Sequence, residues 1–165
     1  QLETLATTDN LTGLHNRQAF EVLIGQLMQN YMRTAEIFSV IMFDIDDFKY
    51  VNDTFGHLTG DLVLAEIARI AKARVRGSDI LCRWGGEEFF VVLSDCVLAH
   101  ALSLAEEIRI AVSDGKNEYK GQKIRVTISA GVAEFMPEET IDQLISRADQ
   151  ALYAAKKAGK NRTFS

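Results

Sequence analysis

The chain has 165 residues, 47% hydrophobic, 25% charged and 8% aromatic, enough for one globular domain with its own core. Eighteen Lys and Arg against 23 Asp and Glu give a net charge of −5, which disfavours a nonspecific nucleic-acid binder. No apolar run approaches the roughly 20 residues of a membrane-spanning helix, and the polar stretch 1–10 is no signal peptide, so a cytoplasmic location is expected. Cys82 and Cys96 are too few for a disulfide framework or a zinc site and read as small buried hydrophobes. There is no repeat, no linker-like shift in composition, and a single proline, Pro137. One domain over 1–165 is expected. Because the chain starts at Gln, it reads as cut from a longer protein, with residues 1–8 a linker and 2–6 the end of an incoming helix.

In chain order, residues 17–34 read as a helix, since Phe20, Leu23, Ile24, Leu27, Met28 and Tyr31 share one face. The apolar run 37–43 reads as a buried central strand that ends at Asp44-Ile45-Asp46-Asp47. Residues 48–55 suit a short helix and 58–75 a longer one, with Thr59 the expected N-cap and Asp61 in its first turn. Runs 80–84 and 88–93 flank Gly85-Gly86-Glu87, the pattern of a hairpin whose turn needs positive φ. Residues 97–112 read as a helix. The stretch 124–132 alternates, with Ile124, Val126, Ile128, Ala130 and Val132 on one face and Arg125, Thr127 and Ser129 on the other. A last amphipathic helix covers 141–157, stopped by Gly159. Helices mixed with strands and one hairpin exclude an all-parallel sheet. The expected fold is α/β of the α+β kind, with a mixed, mainly antiparallel sheet flanked by helices.

Chemistry gathers at two acidic elements, Asp44 to Asp47 at a strand end and Glu87-Glu88 in the hairpin. Carboxylates so placed can converge on a hard cation whose shell is completed by substrate phosphates. Each cluster alone also fits a solvated turn. The glycine pair leaves backbone uncovered, where a nucleotide can approach closely.

The segment Arg83-Trp84-Gly85-Gly86-Glu87-Glu88-Phe89 resembles the signature of the GGDEF family of diguanylate cyclases, in its GGEEF form. Four further segments agree in order and spacing. Asp9 to Arg17 is similar to the family's D-x-L-T-G-L-x-N-R. Phe43 to Lys49 with Asn52-Asp53 is similar to F-D-I-D-x-F-K-x-x-N-D. Gly56-His57 with Gly60-Asp61 matches G-H-x-x-G-D, and residues 151–162 match the closing segment.

The resemblance implies a fold like that of class III nucleotide cyclases and the polymerase palm. It implies condensation of two GTP into cyclic di-GMP with release of two pyrophosphates. Asp44 and Glu87, helped by the Ile45 carbonyl, are the implied ligands of two Mg²⁺ or Mn²⁺ ions, with Glu88 adding a contact or holding geometry. Asp46 and Asp47 are left to capping or solvation, and His57 to a structural role. Asp61 and Asn52 are the implied readers of guanine, because a carboxylate accepts from both N1–H and the 2-amino group whereas adenine offers an acceptor. Gly85, Gly86, Phe48, Lys49, Lys156 and Lys160 complete the implied substrate contacts. Many relatives carry Arg at the position of Lys160, and Lys keeps the charge without the bidentate fork.

Arg76 and Asp79 match the family's inhibitory product site, on the order of 20 Å from the hairpin along the strand. In many relatives an Arg of a second protomer completes that site. Here the position is Glu107, and the nearby Arg109 is expected to point elsewhere. The resemblance further implies a homodimer and an upstream sensor in the same chain, with no nucleic-acid or membrane contact by this domain. A catalytically silent GTP or cyclic di-GMP binding module, and a cyclase of altered product, remain alternative readings.

Overall fold

The computed structural model describes residues 6–115 and 117–165. The helix expected over 2–6 lies outside the described residues except for Ala6, which is not helical. Two short stretches before the first helix are held by a bridge between Thr8 and His15. Helix α1 spans Arg17–Thr34, as its apolar periodicity predicts, and Asn16 caps it by accepting the Ala19 N–H.

Strand β1, Phe38–Ile45, is buried along its whole length. It runs two residues beyond the apolar stretch, so Asp44 lies inside the sheet. A tight turn leads to α2 (Phe48–Phe55) and then α3 (His57–Lys72). The expected start of α3 is corrected here. Gly56, at φ +89°, stands at its N-cap, Thr59 is buried inside it, and Asp61 follows the first turn instead of sitting in it. Strands β2 (Ile80–Gly85) and β3 (Glu88–Ser94) form the expected hairpin. Only Gly86 takes a positive φ, +53°; the pairing slips between Arg83 and Gly85, so the other glycine sits at a bulge.

Helix α4 (Leu98–Ser113) follows, then a small hairpin of β4 (Asn117–Tyr119) and β5 (Gln122–Ile124). The single strand expected over 124–132 is two strands. After β5 the chain leaves the ladder, and β6 spans Ile128–Glu134 in the main sheet. Helix α5 (Ile141–Lys157) opens on a full capping box between Thr140 and Gln143. Strand β7 (Thr163–Phe164) closes the chain.

The main sheet has the order β2-β3-β1-β6-β7, antiparallel except for the parallel β6–β7 pair. This is the mixed, mainly antiparallel sheet expected from the sequence. Side-chain parity sorts the core into two layers. Ile41, Phe43 and Ile45 face one side with Leu64, Ile67 and Ile108 of α3 and α4. Phe38, Val40 and Met42 face the other with Phe20 and Ile24 of α1 and Leu144 and Leu152 of α5. Both faces are therefore covered, and β6 reads as a continuous buried strand. No helix among the described residues is long and apolar enough to cross a membrane.

Candidate active site

The same parity directs Asp44 toward α5. In the ladder Asp44 stands opposite Glu88 on one side and Ser129 on the other. Three polar residues thus line up across three strands, at the end where the hairpin turns. The Glu87 carbonyl accepts the Ile45 N–H at 3.4 Å, tying the turn to the end of β1. The Lys156 ammonium, from the last turn of α5, lies 2.5 Å from Asp44 Oδ1 and 3.9 Å from Asp46 Oδ1. An open cleft of about 410 Å³ is lined by Asp44, Glu88, Asp149, Gln150, Tyr153 and Lys156.

The electrostatics of this cleft are unusual for acids near a surface. Burial pushes the Asp44 carboxyl up to about 6, against the pull of Lys156, and the negative charges of Asp46 and Glu87 add to the rise. Glu88 is raised by burial first and then by Asp149 and Glu87. Asp44 Oδ1 is buried, and among the described residues its one close partner is the Lys156 ammonium. A buried carboxylate oxygen of this kind fits a divalent cation. Among the described residues no cluster of three His, Cys, Asp or Glu side chains forms a complete cation shell. A Mg²⁺ ion commonly takes one or two carboxylates and draws its other ligands from water and phosphates. Asp44 and Glu87, with the Ile45 carbonyl, suit that pattern.

Asp46 departs from the expectation of capping or solvation. It is buried and accepts from the Thr127 hydroxyl at 2.7 Å, the Ser129 hydroxyl at 2.6 Å and the Asn161 N–H at 3.0 Å. The loop after α5 that reaches it takes positive φ at both Lys160 and Asn161. Asp47 sits at the N-cap position of α2 in the left-handed region and its side chain makes no cap. It pairs instead with Lys160 at 2.6 Å. Lys160 thus stands beyond the end of α5, beside the first turn of α2, where Phe48 is buried and Lys49 exposed.

Asn52 packs against a glycine of α3. A Cβ on Gly60 would stand 1.9 Å from Asn52 Oδ1, so Gly60 is the gap into which the amide fits, and Asp61 follows it. At Gly85 and Gly86 a Cβ would meet open space, so packing does not require these glycines. Their bare backbone is open to a ligand. His57 is exposed at the first position of α3.

The Arg76-Gly77-Ser78-Asp79 turn lies at the opposite end of β2 from the hairpin tip. The Arg76 fork donates to both oxygens of Asp79, at 3.3 and 3.2 Å, and to the Ser94 carbonyl at 2.7 Å. Arg109 points away, as expected, pairing with Glu106 and donating to Asn161 Oδ1 at 2.9 Å.

Three contributors escaped the sequence reading: Asp46 as a buried anchor, Asp149 as a cleft carboxylate, and the Asp9–Arg83 pair that braces the hairpin. Asp149 was accessible in principle. It falls on the same helical face as Tyr153 and Lys156, at spacings of four and three.

The family model for "Diguanylate cyclase, GGDEF domain" matches residues 6–162. "Diguanylate cyclase A" of Treponema denticola is 40% identical over 166 residues, covering 98% of this chain and 45% of that protein. Response regulator PleD of Caulobacter vibrioides is 43% identical over 160 residues, covering 95% of this chain and 35% of that protein. The chain thus spans less than half the length of these relatives. The crystal structure of the GGDEF domain of DgcB from Caulobacter crescentus, in complex with c-di-GMP, superposes with a TM-score of 0.93 at 34% identity. That match covers 99% of this chain and 98% of that one. The active GGEEF domain of a diguanylate cyclase from Vibrio cholerae gives a TM-score of 0.85 at 33% identity, covering 90% of this chain and 95% of that one. The chain belongs to the GGDEF-domain family of diguanylate cyclases.

Proposed function

We propose that the domain is an active diguanylate cyclase, in which the 3′-hydroxyl of each of two GTP molecules attacks the α-phosphate of the other. The products are cyclic di-GMP and two pyrophosphates. The observation that carries this reading is Asp44: a buried carboxylate held against a single lysine, beside a glycine hairpin bearing Glu87 and Glu88.

Asp44, Glu87 and the Ile45 carbonyl hold two Mg²⁺ or Mn²⁺ ions, and Glu88 fixes the geometry of the hairpin side. Such ions supply charge neutralisation of the triphosphate and a lowered pKa for the attacking hydroxyl. Asp61 accepts from guanine N1–H and the 2-amino group, and Asn52 meets the neighbouring edge. The bare backbone of Gly85 and Gly86 lets the nucleotide lie close. Lys156 balances Asp44 in the absence of nucleotide and serves the phosphates in its presence. Lys160, Lys49 and the Phe48 amide act from the α2 side.

One domain offers one half-site and the product is two-fold symmetric, so two copies face each other to complete the reaction. A sensor elsewhere in the full protein sets that pairing. Arg76 and Asp79 bind cyclic di-GMP as product inhibitor. Relatives solved with this ligand support the ligand class.

The test is product formation from GTP, ATP or both, with Mg²⁺, read by mass. The parent domain makes cyclic di-GMP from GTP alone, and Glu87→Gln makes none while its thermal unfolding is unchanged. Near-parental synthesis by that variant removes Glu87 from its role. Cyclic di-GMP binding without any product identifies a silent binding module.

A further inference from the structure

The loop after α5 carries Lys160 on a backbone that does not hold itself. Lys160 and Asn161 take φ of +64° and +48°, the left-handed region that costs an L-residue energy. The Lys160 N–H still donates to the Ala155 carbonyl at 3.1 Å, at the end of the helix. The next residue is held from far along the chain. Asp46, just past the end of β1, accepts the Asn161 N–H at 3.0 Å. Arg109 of α4 takes the side chain: its Nη1 donates to Asn161 Oδ1 at 2.9 Å and to the Asn161 carbonyl at 3.4 Å.

Arg109 is itself fixed. Its Nε and Nη2 donate to the two oxygens of Glu106, at 2.9 and 2.7 Å, and its side chain is only 19% exposed. All three guanidinium nitrogens are therefore used, two to orient the group on α4 and the third to clamp Asn161. A lysine has one nitrogen and cannot span both partners. Asn161 is thus gripped at its backbone by Asp46 and at its side chain by Arg109.

We infer that Arg109 is a positioning residue for the cyclase reaction: by clamping Asn161 it sets where Lys160 stands to meet the triphosphate. The inference rests on the reading of Lys160 as a phosphate contact. An ammonium is a point charge on a flexible stem, so its reach depends on where its Cα is held. Lys160 Nζ meets Asp47 Oδ1 at 2.6 Å, at the head of α2. The clamp thereby delivers the charge to the side of the site where Lys49 and the Phe48 amide stand. Arg109 touches no reacting atom and acts through the loop alone.

Kinetics of cyclic di-GMP synthesis on the intact chain, with Mg²⁺, test this. Arg109→Ala should raise KM for GTP by about fivefold or more with little change in kcat, the result of weakening a contact made to bound substrate. Asn161→Gly keeps the positive φ without strain and removes the Oδ1 acceptor, so it should do the same. Guanosine, which carries no phosphate, should inhibit the parent and both variants equally. In a Lys160→Ala background, whose own KM is raised, Arg109→Ala should add nothing. An unchanged KM in Arg109→Ala or Asn161→Gly overturns the inference. So does an equal weakening of guanosine, or an Arg109→Ala effect that multiplies with that of Lys160→Ala, since either makes the clamp a matter of general stability. Loss of folding in both variants has the same meaning. An unchanged KM in Lys160→Ala overturns the phosphate role of Lys160 along with the inference, and no product from the parent overturns the cyclase reading beneath both.

Discussion

The Lys156 ammonium lies 2.5 Å from Asp44 Oδ1, and among the described residues that buried oxygen has no other close partner. The protein keeps a carboxylate in the sheet, balanced by one cation and not neutralised by it. Its folded pKa of about 6 stands above the ordinary 3.8, so ionising Asp44 costs folding free energy. The stability of the protonated form is fully present below pH 3.8 and is lost as pH rises through about 6. Asp44→Asn removes this loss. At pH 7.5 the variant should melt about 2–4 °C above the parent, the shift expected for ~1 kcal/mol in a domain of this size. The gap should close toward pH 4. Mg²⁺ should raise the melting temperature of the parent and leave the variant unmoved, and the variant should make no product. Scanning calorimetry over pH, with and without Mg²⁺, checks all three.

Asp46, two residues on, is set for structure. It gathers Thr127, Ser129 and the Asn161 N–H around one buried carboxylate. Asp46→Ala strands two hydroxyls and a backbone donor and leaves Lys156 with one acid in place of two. A loss of about 3–5 kcal/mol is expected, as for breaking a buried charged network. Urea denaturation should show it as a lowered midpoint at unchanged slope. A loss under ~1 kcal/mol would place the three donors in water and contradict the buried geometry.

Gly60 tests the guanine assignment without touching a polar group. A Cβ there collides with Asn52 Oδ1, the mobile end of a side chain, and not with backbone. Gly60→Ala should therefore fold, displace the Asn52 amide and weaken GTP binding by about tenfold, the worth of one base contact. The effect should fall on KM more than on kcat. An unchanged KM for GTP with a well-folded variant would sever Asn52 from base recognition.

The contrast between these residues shows what the sequence made legible. The boundaries of α1 and α5 follow from apolar periodicity, which is local; Asn16 and Thr140 at the caps add local support. The motifs that carry Asp44 and Glu87 meet where β1 ends beside the hairpin turn, with the Ile45 N–H on the Glu87 carbonyl. Asp46 was misread because its partners lie 81 to 115 residues away. No local pattern distinguishes a buried Asp with three distant donors from a solvated one. The break between β5 and β6 was hidden for another reason. Both faces of β6 are buried, so Ser129, and Thr127 just before the strand, read as outward residues, turn toward Asp46. Thr127 also gives its carbonyl to the Asp46 N–H, outside any ladder. Asp79 is in addition an internal partner of Arg76, which only the side-chain hydrogen bonds reveal.

The Asp9–Arg83 pair gives the last prediction. Arg83 Nη1 donates to both oxygens of Asp9, at 3.1 and 3.3 Å, while its Nε donates to the Gly86 carbonyl at 3.0 Å. Asp9 also accepts from the Thr12 N–H and hydroxyl. One guanidinium therefore joins the N-terminal loop to the tip of the hairpin that carries Glu87. Burial works to raise the Asp9 carboxyl, but the bonds from Thr12 and Arg83 hold it below its ordinary 3.8. Its stabilising contribution is present above that value and fades as pH falls through the lowered one. A double-mutant cycle of Asp9→Ala and Arg83→Ala should give a coupling of about 1–2 kcal/mol at neutral pH, within the range for partly buried contacting pairs. The coupling should shrink as pH falls below the ordinary 3.8. Arg83→Ala should also cut cyclic di-GMP synthesis more than Asp9→Ala does, because it alone frees the Gly86 carbonyl. Equal losses of activity would mean that the N-terminal loop, and not the hairpin tip, is what Arg83 holds for catalysis.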